Sequence, residues 1–138
     1  MSAPRSSTGH FTIRAVRGAV QVPRDDPDAI GRGTVELLTE VLARNALTVD
    51  DLVSVLFTAT PDLRSAFPAA AARRLGLHDV PLLCATEIDV PDAPPRIIRL
   101  LAHVHTDLPR TALTHVYLAG AATLRPDLPT PNPPTPSP

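Results

Sequence analysis

Leu52-Val53-Ser54-Val55-Leu56-Phe57-Thr58-Ala59-Thr60 is an almost continuous apolar run rich in β-branched residues. It reads as a strand buried on both faces, and such a strand needs covering layers. The sequence upstream supplies one. Asp25-Asp26-Pro27-Asp28 is a strong helix start, with an aspartate cap, proline in the first turn and acid at the positive end of the helix dipole. Ile30, Thr34, Leu37, Leu38, Val41 and Leu42 then recur on one face, so the main helix spans Pro27–Arg44 and can end at Asn45. Thr48 and Asp51 suit a short capping turn before the strand.

Further out, Thr12–Val20 alternates as a first strand. Downstream, Thr60-Pro61-Asp62 looks like a cap opening a short helical turn. Phe67-Pro68 interrupts it, and Ala69–Leu75 can coil again until Gly76. Pro81–Val90 reads as a third strand, Pro91–Pro95 as a loop and Thr114–Leu124 as the last strand. Arg96–Thr106 fits a helix by periodicity, because Arg-Ile-Ile-Arg-Leu-Leu-Ala repeats at helical spacing. The flanks differ from this middle. Residues 1–10 are a polar lead-in, and residues 129–138 are a proline-rich tail suited to polyproline II or disorder. The expected globular domain is therefore 11–128, near the usual domain size.

Composition narrows the function. The net charge of −1 gives no bulk positive field for nucleic acid, and the absence of Trp with only three Phe removes base-stacking platforms. All 13 basic residues are arginine. Without lysine there is no Schiff-base chemistry and no lysine-bound pyridoxal cofactor. Every cation is instead a permanently charged fork suited to carboxylates. Cys84 is the only cysteine, so no internal disulfide forms, and the N-terminal stretch lacks the apolar run of a signal peptide. A cytoplasmic location is the expectation. His103 and His105 share one strand parity, with His115 across from them. Two histidines at that spacing are a poor metal signature, and neither metal nor cofactor is expected.

Four blocks in fixed order carry more than composition does. They are Ile13-Arg14-Ala15-Val16-Arg17-Gly18-Ala19, Ala59-Thr60-Pro61-Asp62-Leu63 continuing to Phe67-Pro68-Ala69, Cys84-Ala85-Thr86-Glu87-Ile88-Asp89-Val90, and His115-Val116-Tyr117-Leu118 ending in Leu124-Arg125-Pro126-Asp127-Leu128. The ordered set resembles the small monofunctional chorismate mutases that work as trimers. The resemblance implies a strand at Arg96–Thr106, and Val104-His105-Thr106 ending in a turn agrees. The expected fold is then α/β: a mixed five-stranded sheet with one long helix and a short helical segment, three copies forming a pseudo α/β barrel.

The resemblance also implies a reaction: chorismate becomes prephenate by an intramolecular Claisen rearrangement, feeding phenylalanine and tyrosine synthesis. It implies the site too. Arg99 would donate to the ether oxygen and a carboxylate, Arg17 would clamp a carboxylate, and Glu87 would accept from the ring hydroxyl. Tyr117 would reach a carboxylate, and Leu124 with Arg125 would close over the site. Phe67, Ala69 and Arg73 would form another wall, with Cys84 near the ring hydroxyl. In the family these groups come from adjacent subunits, so a C3 homotrimer with interfacial sites is expected. Two positions depart from the family pattern. Ala70 stands where a lysine is known, so that either Arg73 or Arg74 compensates or the lysine is dispensable, and Leu83 stands where a small hydroxyl residue is common.

Strand parity adds two expectations. Tyr117 and Arg125 would share a face of an unbroken last strand, whereas Cys84 and Glu87 would face opposite ways. The competing readings are a trimeric imine or enamine deaminase and a non-catalytic trimer that binds an acid of the aromatic pathway.

Overall fold

The structure, a computed structural model, describes residues 12–124. Arg125, the lead-in 1–10 and the proline-rich tail 129–138 lie outside the described residues. Five strands, β1 (Thr12–Gln21), β2 (Leu52–Ala59), β3 (Leu82–Thr86), β4 (Ile97–Thr106) and β5 (Val116–Leu118), form one mixed sheet in the order β3-β2-β4-β1-β5. The central strand β4 runs antiparallel to β1 and β2, and each edge strand is parallel to its neighbour. One long helix, α1 (Pro27–Arg44), and one short helix, α2 (Pro68–Arg74), cover a single face. The expected element order and the mixed five-stranded sheet are both present.

Local chemistry sets α1. The Asp26 carboxylate accepts the Ala29 N–H at 2.7 Å, and Pro27 opens the first turn. That bond, with Arg24 beside it, holds the Asp26 carboxyl below its usual range. At the other end the buried Asn45 side chain donates to the Val41 and Thr114 carbonyls (2.8 and 2.9 Å) and accepts the Thr114 N–H at 2.7 Å. One side chain thus closes α1 and pins the approach to β5. Thr48 and Asp51 pair as the sequence suggests, the Thr48 N–H donating to the carboxylate at 2.8 Å. The helix sits close on the sheet because two glycines lack side chains. A Cβ on Gly18 would lie 2.9 Å from Leu37 Cδ1, and one on Gly33 would lie 2.5 Å from Val22 Cγ1. The core lies in that contact: Val16, Val20, Leu37, Val41, Val55, Phe57, Leu100 and Val104.

Four details differ from the sequence reading. β2 is not buried on both faces within one chain: Val55 and Phe57 turn to the helices, while Leu56 on the opposite face is 37 % exposed. Among the described residues no helix covers that second face. Thr60-Pro61-Asp62 makes a tight turn rather than a helical one. The Thr60 hydroxyl accepts the Ile97 N–H (3.0 Å) and the Asp62 carboxylate accepts the Arg96 N–H (2.9 Å), so both side chains tie the turn to β4 instead of capping a helix. The third strand ends at Thr86 rather than Val90. Glu87 still donates its N–H to the Ala59 carbonyl at 2.9 Å, after which the chain turns away. The last strand stops at Leu118. Ala119 takes a left-handed backbone (φ 52°), Gly120 packs against the Gln21 side chain, and Ala119–Leu124 coils into a 3-10 turn. That turn buries Ala121 against Ala19 and Ile97. The expected sharing of a strand face by Tyr117 and Arg125 therefore lapses, because no strand connects them.

Candidate active site

Register decides which side chains share the uncovered face. Arg17 is opposite Leu101, Ala19 is opposite both Arg99 and Tyr117, Thr58 is opposite Arg99, and Leu56 is opposite Leu101. Paired residues project from the same side of a sheet. Arg17 from β1, Arg99 from β4 and Tyr117 from β5 consequently converge, and with Leu56, Thr58 and Leu101 they line one cavity of about 330 Å³. Its floor is apolar and its cations stand around it, an arrangement that holds an anion with an apolar body.

Each of these groups is positioned from below. Arg17 follows buried Val16, and its N–H donates to His115 Nδ1 at 3.0 Å, joining β1 to the residue before β5. Asn45 anchors the same segment through Thr114. Tyr117 packs with Leu124 against Ala19, Ile97 and Ala121, so Leu124 does reach the neighbourhood of Tyr117. Arg99 is half-exposed and donates its Nε–H to Glu87 Oε2 at 2.9 Å. The same oxygen accepts the Thr58 hydroxyl at 2.6 Å. Among the described residues the terminal nitrogens of Arg99 carry no hydrogen bond, which leaves them to a ligand.

The other expected site residues sit elsewhere. Cys84 pairs with Phe57 and so belongs to the helix-covered face, where it packs half-buried on the core. It joins Phe67, Pro68, Ser65 and Thr86 around a second cavity of about 490 Å³. Phe67 is 73 % exposed at its rim. The segment carrying Phe67 is tied back to the start of α1: Asp25 Oδ1 accepts from the Ser65 hydroxyl (2.8 Å) and from the Arg64 and Ser65 N–H groups (2.9 and 3.0 Å). These donors, the Ser65 hydroxyl foremost, lower the Asp25 carboxyl from its usual range. Ala69 is buried in the core, so only its backbone is available to a ligand, while Arg73 is exposed on α2. Arg74 leans over Gly31 of α1. Cys84 and Glu87 are separated as parity suggests, although Glu87 lies one residue beyond the strand.

In one chain, then, the expected residues form two groups. Arg17, Arg99, Tyr117, Leu124 and Glu87 lie on or beside the uncovered face. Phe67, Ala69, Arg73 and Cys84 lie around α2. The sequence reading missed Thr58, Leu56 and Leu101 as lining residues. The signal was present in β2, where Ser54, Leu56 and Thr58 share a parity and two of the three are hydroxyl residues. His103 bonds Ser54 Oγ across the strands at 3.1 Å. Among the described residues no group of three or more His, Cys, Asp or Glu is placed to hold a metal ion, and no helix is long and apolar enough to cross a membrane.

A mixed α/β sheet thus brings two arginines and a tyrosine to one cavity, with a glutamate bonded to one of those arginines beside it. A sequence model of the family described as chorismate mutase type I matches residues 13–128. The chain belongs to that family. It is 50 % identical over 117 residues to chorismate mutase AroH of Thermus thermophilus, covering 84 % of this chain and 96 % of the relative. Identity to chorismate mutase AroH of Bacillus subtilis (strain 168) is 42 % over 117 residues, covering 84 % and 92 %. The solved structure of a chorismate mutase from Clostridium thermocellum superposes with a TM-score of 0.79 at 44 % identity, over 80 % of this chain and 98 % of that one. These matches favour the mutase over the deaminase and the non-catalytic binder.

Proposed function

We propose that the chain isomerises chorismate to prephenate at a site completed by a neighbouring copy in a homotrimer. The rearrangement breaks one C–O bond and forms one C–C bond in a cyclic transition state. No proton has to move, so the protein has two tasks. It holds the flexible enolpyruvyl arm over the ring, and it places fixed positive charge where the ether oxygen becomes negative. Arg99 takes the second task with its terminal nitrogens, and Arg17 and Tyr117 hold carboxylate. Glu87 accepts the ring hydroxyl. The observation that carries this reading is the convergence of Arg17, Arg99 and Tyr117 on one cavity with Glu87 bonded to Arg99.

The division into two groups supports a site shared between copies, and the family resemblance makes the assembly a trimer. Phe67, Arg73 and Cys84 belong to α2 and the covered face, and no single chain can fold them over Arg99. A second copy supplies them, and its contact also covers the apolar side chains left on the open face. Leu124 packs beside Tyr117 at the edge of the open face. The work belongs to aromatic amino acid synthesis in the cytoplasm.

Purified protein tests this directly. It should deplete chorismate absorbance and release prephenate, sediment as three copies, and show kcat that varies little between about pH 6 and 8, since no titrating group performs the chemistry. Conversion no faster than the uncatalysed background would end the reading. A monomer with full activity would end its interfacial part.

A further inference from the structure

Thr58 meets Glu87 in a way the proposed mechanism does not yet use. Its hydroxyl lies 2.6 Å from Glu87 Oε2, within the short range of an O–H donor on a charged oxygen. Arg99 Nε–H reaches the same oxygen from the other side at 2.9 Å. The Glu87 main chain is fixed separately, by its N–H on the Ala59 carbonyl. Three anchors from β2 and β4 therefore define where this carboxylate sits, although Glu87 lies past the end of β3 and has no strand of its own. Both donors fall on Oε2, which leaves Oε1 as the oxygen that can take a ligand hydroxyl. The same contacts set Arg99: with Nε turned to Glu87, the guanidinium is held about its long axis and its terminal nitrogens are aimed rather than free to rotate.

We infer that Thr58 is the positioning residue of the site. Its hydroxyl locks the Glu87 carboxylate, and through it the Arg99 guanidinium, in the orientation that meets a hydroxylated cyclic dicarboxylate. This rests on the proposed mutase reading. Thr58→Val keeps the shape of the side chain and removes the donor, whereas Thr58→Ser keeps the donor.

The test combines turnover with structure. In Thr58→Val, kcat/KM for chorismate should fall roughly tenfold, the worth of one hydrogen bond to a charged group, and Thr58→Ser should recover most of it. The thermal midpoint of both variants should stay near that of the unaltered protein. In a Glu87→Ala background, Thr58→Val should cost nothing further, because it acts only through the missing carboxylate. A Thr58→Val protein within about twofold of the original would overturn the inference, as would additive losses in the double variant. Crystals of Thr58→Val judge the same point without turnover: Glu87 should leave its place, and an unmoved carboxylate counts against the role of Thr58. If the unaltered protein fails to convert chorismate, the reaction falls, and those crystals still decide whether Thr58 positions Glu87.

Discussion

Two faces of one sheet are built by different rules. The helix-covered face is a conventional core: Val16, Val55, Phe57, Leu100 and Val104 meet α1 and α2, and glycines at 18 and 33 let the layers close. The opposite face mixes Arg17, Thr58, Arg99 and Tyr117 with large apolar side chains, of which Ile13 is 53 % and Leu83 is 61 % exposed. Neighbours on β2 make the contrast sharpest. Phe57 is almost wholly inaccessible, and Leu56, one residue earlier, faces out. The covered face maintains the fold of each copy. The open face carries the cavity of Arg17, Arg99 and Tyr117, and in the proposed function it receives a ligand and another copy.

Substitutions on the two faces should therefore fail in different ways. Phe57→Ala opens a cavity in the covered core and should cost about 3–5 kcal/mol of stability, read by denaturant unfolding. A loss below 1 kcal/mol, on the order of a surface change, would mean that the core is not where we place it. Arg99→Ala should leave folding intact by circular dichroism and lower kcat by roughly 10²–10³, the loss of one preorganised donor at a developing charge. Near-normal turnover would remove Arg99 from the mechanism. Leu56→Asp should keep the fold and weaken association, since burial of one leucine across an interface is worth about 1.5–3 kcal/mol. Sedimentation would show smaller species and activity that returns with concentration, and an unchanged assembly would separate the open face from the subunit contact.

The smallest effect concerns the clamp on the segment that presents Phe67. The Asp25 carboxyl is lowered in the folded protein, so its contribution is present above the ordinary aspartate value and disappears as pH falls through the lowered one. Asp25→Asn should thus lower the thermal midpoint slightly near neutrality. The gap between variant and original should close in acid, and a gap that widens there would reverse the assignment.

Helix α1 was legible from the sequence because local signals agree there. Asp26, Pro27 and Asn45 mark the helix ends within a few residues of where they act. Arg96–Thr106 was harder, and the structure shows why. Along β4, burial alternates from Ile98 onward, but Ile97 and Ile98 are both inaccessible. Ile97 projects to the open face and is covered there by Ala121 of the 3-10 turn. Two adjacent buried isoleucines imitate a helical repeat, and only a distant segment explains them. The end of the last strand was missed for a related reason, since Ala119 takes its left-handed backbone next to Gln21, far away in sequence. Of the site, Arg17, Arg99, Glu87 and Tyr117 came from motif order. Thr58 was hidden because its meaning lies in a register with Arg99 that no local pattern encodes.

The order of strands has a consequence for how the molecule comes into being. The middle of the sheet joins β1 to β4, and Thr12 bonds Thr106, 94 positions further along the chain. No early hairpin can form the centre; β1, α1 and β2 must wait for β4. Such non-local pairing places refolding in the roughly millisecond-to-second regime rather than the microsecond one. On the ribosome, the first half of the chain emerges with its adhesive surfaces uncovered, and their shelter arrives only when the strand bearing Arg99 does.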